Sequence, residues 1–336
     1  MVIVDAHLDL AYNVTRGRDP RMPAEQQPIA ENEIATVGLP DLRGGGVGLV
    51  CATIFAEPES QRKAGYRTPE QAERAATEQW RWYQSAAAEG HVCIITDKRD
   101  AFFSNPAANR QLPCILLMEG ADPILAPKDA ETWFQRGIRI VGMAWKQTRY
   151  AGGTGAPGGL SAAGRELARE LDRLGVIHDA SHLAEAAFWD LLELSSGPVI
   201  ASHSNCRAIV PTDRQLSDEM ICAIASRGGV IGINFFYKFL LPPDEIGTRR
   251  ATLADVVRHV SHICELTGTT RHVGLGTDMD GGLGRNEIPE EIRTSADLPR
   301  LAEALSESGF SDSDIQAIMG RNWINYFASH LPGGAA

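Results

Sequence analysis

Closely spaced cysteines, long apolar runs and an excess of basic residues are all missing from this sequence. Its six cysteines (Cys51, Cys93, Cys114, Cys206, Cys222, Cys264) are scattered through 336 residues, which excludes a zinc knuckle or a two-cysteine redox motif. Most sit in or beside apolar runs, where a free thiol behaves as a small buried hydrophobe, and this predicts a reducing, cytoplasmic setting. No apolar run approaches the roughly 20 residues of a membrane span, and the first residues carry no basic and apolar leader, so no membrane association is expected. With 32 Lys and Arg against 43 Asp and Glu the net charge is −11, which argues against nucleic acid or an anionic membrane as partner.

What the sequence does have is a run of apolar segments that end in polar, metal-capable residues. Val2–Ile3–Val4–Asp5–Ala6–His7–Leu8–Asp9 opens the chain; on a buried strand His7 and Asp9, two apart, project to one side. One such triplet carries little weight, but the pattern recurs. Cys114–Met118 runs into Glu119, Val176–Ile177 into His178, Asp179 and His182, Pro198–Ala201 into Ser202 and His203, and Val273–Gly276 into Asp278. A carboxylate such as Glu119 at the end of a wholly apolar strand is costly unless it is paired or metal-bound. His182, at the strand exit, is the better ligand candidate, and His178, nearer the middle, reads as a buried, hydrogen-bonded histidine.

These runs alternate with helical segments. Thr68 to Glu89 is one, and Ser161 caps another from Ala162 to Leu174 that stops at Gly175. A third runs from Leu253 to Thr267. Nine candidate strands result where a (β/α)8 barrel needs eight, and Val92–Thr96 is set aside as an extra edge strand because it lacks both a following helix and a polar end. The expected fold is therefore α/β, a single TIM-barrel domain over residues 1–336 with its chemistry at the C-terminal face of the strands. Two long segments, Asn13–Ala35 and the Gly-rich Thr148–Ser161, are expected to lie over the barrel mouth and shape a pocket. Arg207 and Arg214 both stand near enough to the His203 strand end for one of them to meet a substrate carboxylate.

Taken together, His7-Leu8-Asp9, Glu119-Gly120, Asp179-Ala180-Ser181-His182, Ser202-His203-Ser204-Asn205 and Gly276-Thr277-Asp278-Met279-Asp280-Gly281 resemble the membrane (renal) dipeptidase family of zinc peptidases, a branch of the amidohydrolase-like barrels. The resemblance extends from about Ile3 to Asn325. It implies two Zn2+ ions per chain, His7 and Asp9 on one, His182 and His203 on the other, bridged by Glu119 and by a hydroxide or water. It further implies that Asp278 is the acid/base, that Arg214 contacts the substrate, and that the protein forms a homodimer.

One position departs from the family. Trp145 aligns with a histidine that steadies the oxygen of the tetrahedral intermediate; an indole offers one donor and no titration. Trp145 itself, Tyr150, Lys146 or His178 is then expected to take that part. The implied activity is hydrolysis of a dipeptide, including one with a D-residue at its C-terminal position; the alternative on the same metals is an N-acyl amino acid or lactone hydrolase. A barrel that binds metal or peptide without turnover is disfavoured, because all five ligands and Asp278 are present.

Overall fold

The computed structural model describes residues 1–61, 63–104 and 111–333. Its centre is a parallel sheet built from β1 (Ile3–Leu8), β2 (Val47–Phe55), β3 (Val92–Ile94), β4 (Leu112–Glu119) and β5 (Ile138–Gly142), with β6 (Ala151–Gly153) and β7 (Ala156–Leu160) forming a separate antiparallel hairpin. The sheet continues through β8 (Ile177–Asp179), β9 (Val199–Ile200), β10 (Ile231–Ile233) and β11 (Val273–Leu275). The strand order is β10-β11-β1-β2-β4-β5-β8-β9, and the parallel bridge Ala201↔Ile231 joins its two ends, closing the eight-stranded barrel. β3 is the supernumerary edge strand: it pairs with Leu112–Cys114 of β4, below the stretch of β4 that β5 takes over from Leu116.

Alternation along each strand fills two layers. Val4, Leu49, Cys51, Ile115, Leu117, Ile140, Ile177 and Ile200 form one cluster, joined by Trp323 and Phe327 of the C-terminal helix Asn322–His330. Leu116, Met118, Val50 and Ile54 belong to the other, which packs against the surrounding helices. In β4 the residue two beyond Leu117 is Glu119, so the alternation that buries Ile115 and Leu117 delivers a carboxylate to the C-terminal mouth. In β8 it sends Ile177 and Asp179 to one side and His178 to the other. There His178 Nε2 meets Asp172 Oδ1 at 2.7 Å, tying strand to helix, and His178 takes no part in the site.

The flanking helices follow their end signals. Ser161 accepts a hydrogen bond from Gly164 N and Gly175 closes the same helix at φ 70, a conformation glycine adopts without cost. Among the described residues no helix is long and apolar enough to cross a membrane.

Two local expectations are corrected. β1 ends at Leu8, and Asp9 is the residue preceding the short helix Leu10–Thr15, so Asp9 is not delivered by strand alternation. Pairing with β2 slips between Asp5 and Leu8, which turns the end of β1. Residues 13–35 do not line the cavity over the strand ends; Thr15, Arg16 and Glu31 line a second pocket beside it that shares Tyr12, Phe55 and Glu57. Arg18 pairs with Asp280 at 3.7 Å, and just beyond the segment Thr36 N and Val37 N donate to that carboxylate at 2.8 and 2.9 Å. Thr148–Ser161 folds sharply, as the β6–β7 hairpin.

Candidate metal centre

At the C-terminal mouth of the barrel three imidazoles converge on one carboxylate. Glu119 Oε1 lies 3.1 Å from His182 Nε2, 3.4 Å from His203 Nε2 and 3.7 Å from His7 Nε2. Asp9 and Asp278 complete the cluster: one ligand atom each of His7, Asp9 and Asp278 lies within 4.8 Å of the others. His7, Asp9, Glu119 and His203 are buried, and His182 and Asp278 are partly exposed. Thr53 Oγ1 donates to Asp9 Oδ1, and Asn234 Nδ2 donates to Asp278 Oδ2 at 2.9 Å.

The backbone at this rim is unusual. Five described non-glycine residues have positive φ, and three of them are His182 (65°), Asp278 (59°) and Asp280 (63°). Such conformations cost free energy and persist where the surroundings fix them, which is common at functional sites. Here Asp280 is clamped by Thr36 and Val37, and Asp278 N donates to His7 O at 3.2 Å.

The donor set fits metal ions. His7 Nε2 is buried with no hydrogen-bond partner, since Glu119 at 3.7 Å is out of reach. His182 Nε2 and His203 Nε2 face each other at 2.9 Å, yet both Nδ1 atoms have hydroxyl partners, Thr154 Oγ1 at 3.0 Å and Ser202 Oγ at 2.8 Å. Nitrogen and carboxylate oxygen are the donors that zinc and similar divalent ions take. The electrostatics agree. Despite burial, the charges of Glu119, Asp9 and Asp278 push His7 up to about 10, whereas burial and nearby Arg214 bring His182 down to about 4. Burial, with Asp9 and Glu119 close by, raises Asp278 to about 8. Negative charge in this cluster is in surplus, and a cation relieves it.

A cavity of about 410 Å³ opens onto the centre, with Glu119, His182, Asp278 and Arg214 on its inner wall. Arg214 is buried; its guanidinium donates to Ser204 Oγ (2.9 Å) and His203 O (2.6 Å), and its Nε has no partner. Arg207, the other candidate, pairs with Glu185 at the surface. Trp145 lines the cavity 5.2 Å from the Phe55 ring and 6.2 Å from that of His182 (centroid distances), with Lys146 beside it. Tyr150 is a correction: its ring is buried outside the cavity wall and its hydroxyl donates to Ile124 O, so it cannot contact a substrate.

Several wall residues escaped the sequence reading. Glu57, Lys63, Phe236 and Phe239 line the cavity, and Thr154 reaches it from the β6–β7 turn. The segment after β2 that carries Glu57 and Lys63 has no motif, and only its place after a barrel strand was available as a signal.

A closed parallel barrel whose strand ends carry imidazoles and carboxylates around one cavity is the architecture of a metal-dependent hydrolase. Comparison narrows the class: residues 1–329 match the membrane dipeptidases, peptidase family M19, and the chain belongs to that family of metallopeptidases. A Klebsiella pneumoniae protein, described as an uncharacterized protein in the pqqA 5' region, is 34% identical over 206 residues, covering 59% of this chain and 74% of its own length. An uncharacterized dipeptidase of Schizosaccharomyces pombe is 35% identical over 164 residues, 49% of this chain; the match spans only 38% of that relative. A solved metallopeptidase from Rhodobacter sphaeroides, liganded with a phosphinate mimic of the dipeptide L-Ala-D-Ala, superposes with TM-score 0.83 at 26% identity over 99% of both chains.

Proposed function

We propose that this chain is a zinc-dependent dipeptidase, one catalytic domain that acts as a homodimer and accepts a D-residue at the C-terminal position of its substrate. The observation that carries the reading is the convergence of His7, His182 and His203 on Glu119 beside a buried, incompletely paired Arg214. The stereochemical part rests on the phosphinate ligand of the Rhodobacter enzyme, and the dimer on the resemblance.

His7 and Asp9 would hold one ion, His182 and His203 a second, with Glu119 between them. The ions supply Lewis acidity and a nucleophilic water at neutral pH. Arg214 receives the substrate carboxylate from the floor of the cavity, where its desolvated guanidinium can form a paired contact. Asp278, at the rim and held by Asn234, takes the proton of the attacking water and returns one to the leaving amine. Phe55, Trp145 and Phe236 exclude bulk water from the bond being cut, and the Trp145 indole N–H or the Lys146 ammonium donates to the carbonyl oxygen.

Trp145 also favours a second reading, hydrolysis of N-acyl amino acids or lactones at the same centre. The test is metal content and turnover of L-L and L-D dipeptides, with N-acyl amino acids beside them, by the purified protein and by Glu119→Gln. About two metals per chain with dipeptide turnover, both reduced in the variant, is the expected result. Two metals with turnover of N-acyl substrates alone would transfer the proposal to the second reading.

A further inference from the structure

We propose that Ser202 is a positioning residue for both halves of the metal centre, setting the tautomer of His7 and His203 with a single hydroxyl. The inference rests on the two-metal reading above and concerns how this chain prepares for the ions. Ser202 Oγ has three close side-chain neighbours: Asp179 Oδ2 at 2.5 Å, His203 Nδ1 at 2.8 Å and His7 Nδ1 at 3.0 Å. Ser202 and His203 are at most 1% exposed, His7 is fully buried and Asp179 is 2% exposed, so no bulk water competes for these bonds.

Proton counting then leaves one arrangement. Ser181 N and Ser202 N donate to Asp179 Oδ1 at 2.9 and 2.8 Å, so Asp179 is fixed as an acceptor and its Oδ2 takes the one proton of the Ser202 hydroxyl. Ser202 Oγ has two lone pairs left, and two imidazoles face them. Each must therefore donate an Nδ1–H. With Nδ1 protonated in both rings, Nε2 of His7 and of His203 is the atom left to offer an electron pair to an ion, and it is Nε2 of each that points at Glu119. A further hydroxyl, Ser181 Oγ, lies 3.4 Å away and is the weakest of the contacts.

The sharing is what distinguishes Ser202. His7 comes from β1 and is assigned to one ion; His203 follows β9 and is assigned to the other. Asp179 ends β8, so the hydroxyl ties three parts of the barrel at one point. Ser202 cannot drift from it, because its carbonyl packs against Gly232 and Gly276, where an added Cβ would stand 1.9 and 1.7 Å from that oxygen. His182, by contrast, has its own partner in Thr154 Oγ1 at 3.0 Å. One hydroxyl thus prepares both ion sites, and Thr154 prepares one.

The experiment uses the full chain, with zinc as the probe, and has two readouts besides activity. In 15N-labelled, zinc-loaded wild type, long-range ¹H–¹⁵N spectra are expected to show His7 and His203 protonated on Nδ1, with those protons slow to exchange. Protonation on Nε2, or zinc on Nδ1, of either ring would overturn the proposal without touching the question of how many metals bind. The second readout is zinc titration against a competing chelator. Ser202→Ala is expected to lose roughly 10–100-fold in affinity at both sites, and Thr154→Val to lose roughly 10-fold at one. Two tight sites in Ser202→Ala, or loss at one alone, would also overturn it. Wild type taking up a single zinc would defeat the two-metal reading and the sharing claim together, while the tautomer result would still stand or fall on its spectrum.

Discussion

Asn234 Nδ2 donates a 2.9 Å hydrogen bond to Asp278 Oδ2, across the mouth of the barrel from the end of β10 to the exit of β11. Asn234 is itself immobilised: its N–H donates to Asn205 Oδ1 at 2.8 Å, its carbonyl accepts from Asn205 Nδ2 at 3.0 Å, and its Oδ1 accepts from Phe236 N at 2.7 Å. Asp278 sits on a strained backbone at φ 59, so its carboxylate direction depends on such restraints. Asn234→Ala is expected to lower kcat roughly 10–100-fold through misplacement of the proton carrier, with metal content unchanged. Steady-state kinetics beside elemental analysis decides it; a variant that has lost metal as well would show that Asn234 serves the ions instead.

Arg214 is buried, and its charge is already opposed by desolvation, which lowers its pKa despite the nearby carboxylates of Asp278 and Glu119. A cation kept there is best used on an anionic ligand. Arg214→Lys keeps the charge but loses the forked geometry that holds Ser204 Oγ and His203 O. The expected outcome is a KM for free-carboxylate dipeptides raised roughly tenfold or more, with little change for the same dipeptides amidated at the C-terminus. Equal losses on both substrates would remove Arg214 from carboxylate recognition.

Much of this arrangement was legible because strand ends announce themselves. An apolar run that stops on His or Glu requires only that the run be a parallel barrel strand for its last side chain to reach the C-terminal mouth, as Glu119 and His203 do. The Ser161 cap and the Gly175 stop were equally local, and both stand. Asp9 came out beside His7 by a different route, the turn into Leu10–Thr15, which alternation did not foresee. Ser202 was legible as a hydrogen-bonding neighbour of His203 and no more, and Thr154 and Asn234 were not assigned from sequence, because a hydroxyl or amide acquires its part only from what folds against it. Tyr150 failed for the same reason: the hairpin that carries Thr154 into the cavity points Tyr150 at Ile124 O.

His259 gives a pH prediction free of the metal centre. It is fully buried, its Nδ1 accepts from Cys206 N at 3.2 Å, and its Nε2 faces Leu240 O at 3.3 Å. Burial, aided by Arg258, lowers it from 6.5 to about 4 against the opposing pull of the Leu240 carbonyl. Between those values the unfolded chain binds a proton that the folded chain refuses. The contribution is therefore complete above pH 6.5 and is lost as pH falls toward 4, about 3 kcal/mol at most. Urea unfolding at several pH values should show wild type losing more stability between pH 7 and 4.5 than His259→Gln does. Parallel pH profiles would refute it.

Trp145 stands where relatives are expected to carry a donor for the tetrahedral oxygen, between Phe55 and His182 on the cavity wall. Its indole brings bulk and one N–H, whereas a histidine would bring a smaller ring and a proton that can be positioned or given up. Two effects then oppose each other in Trp145→His. Transition-state stabilisation improves if the new ring reaches the oxygen, by up to about 3 kcal/mol for one well-placed donor. Apolar contact with the substrate falls, because the wall formed with Phe55 is thinned. These separate in kinetics, since the first acts on kcat and the second on KM. For dipeptides with a small N-terminal side chain, little wall contact is lost, and kcat should rise at least tenfold. For those with a large aromatic side chain, KM should rise as well. A fall in kcat on every dipeptide would mean that the indole N–H is already the donor, and that this chain has replaced the histidine and kept the reaction.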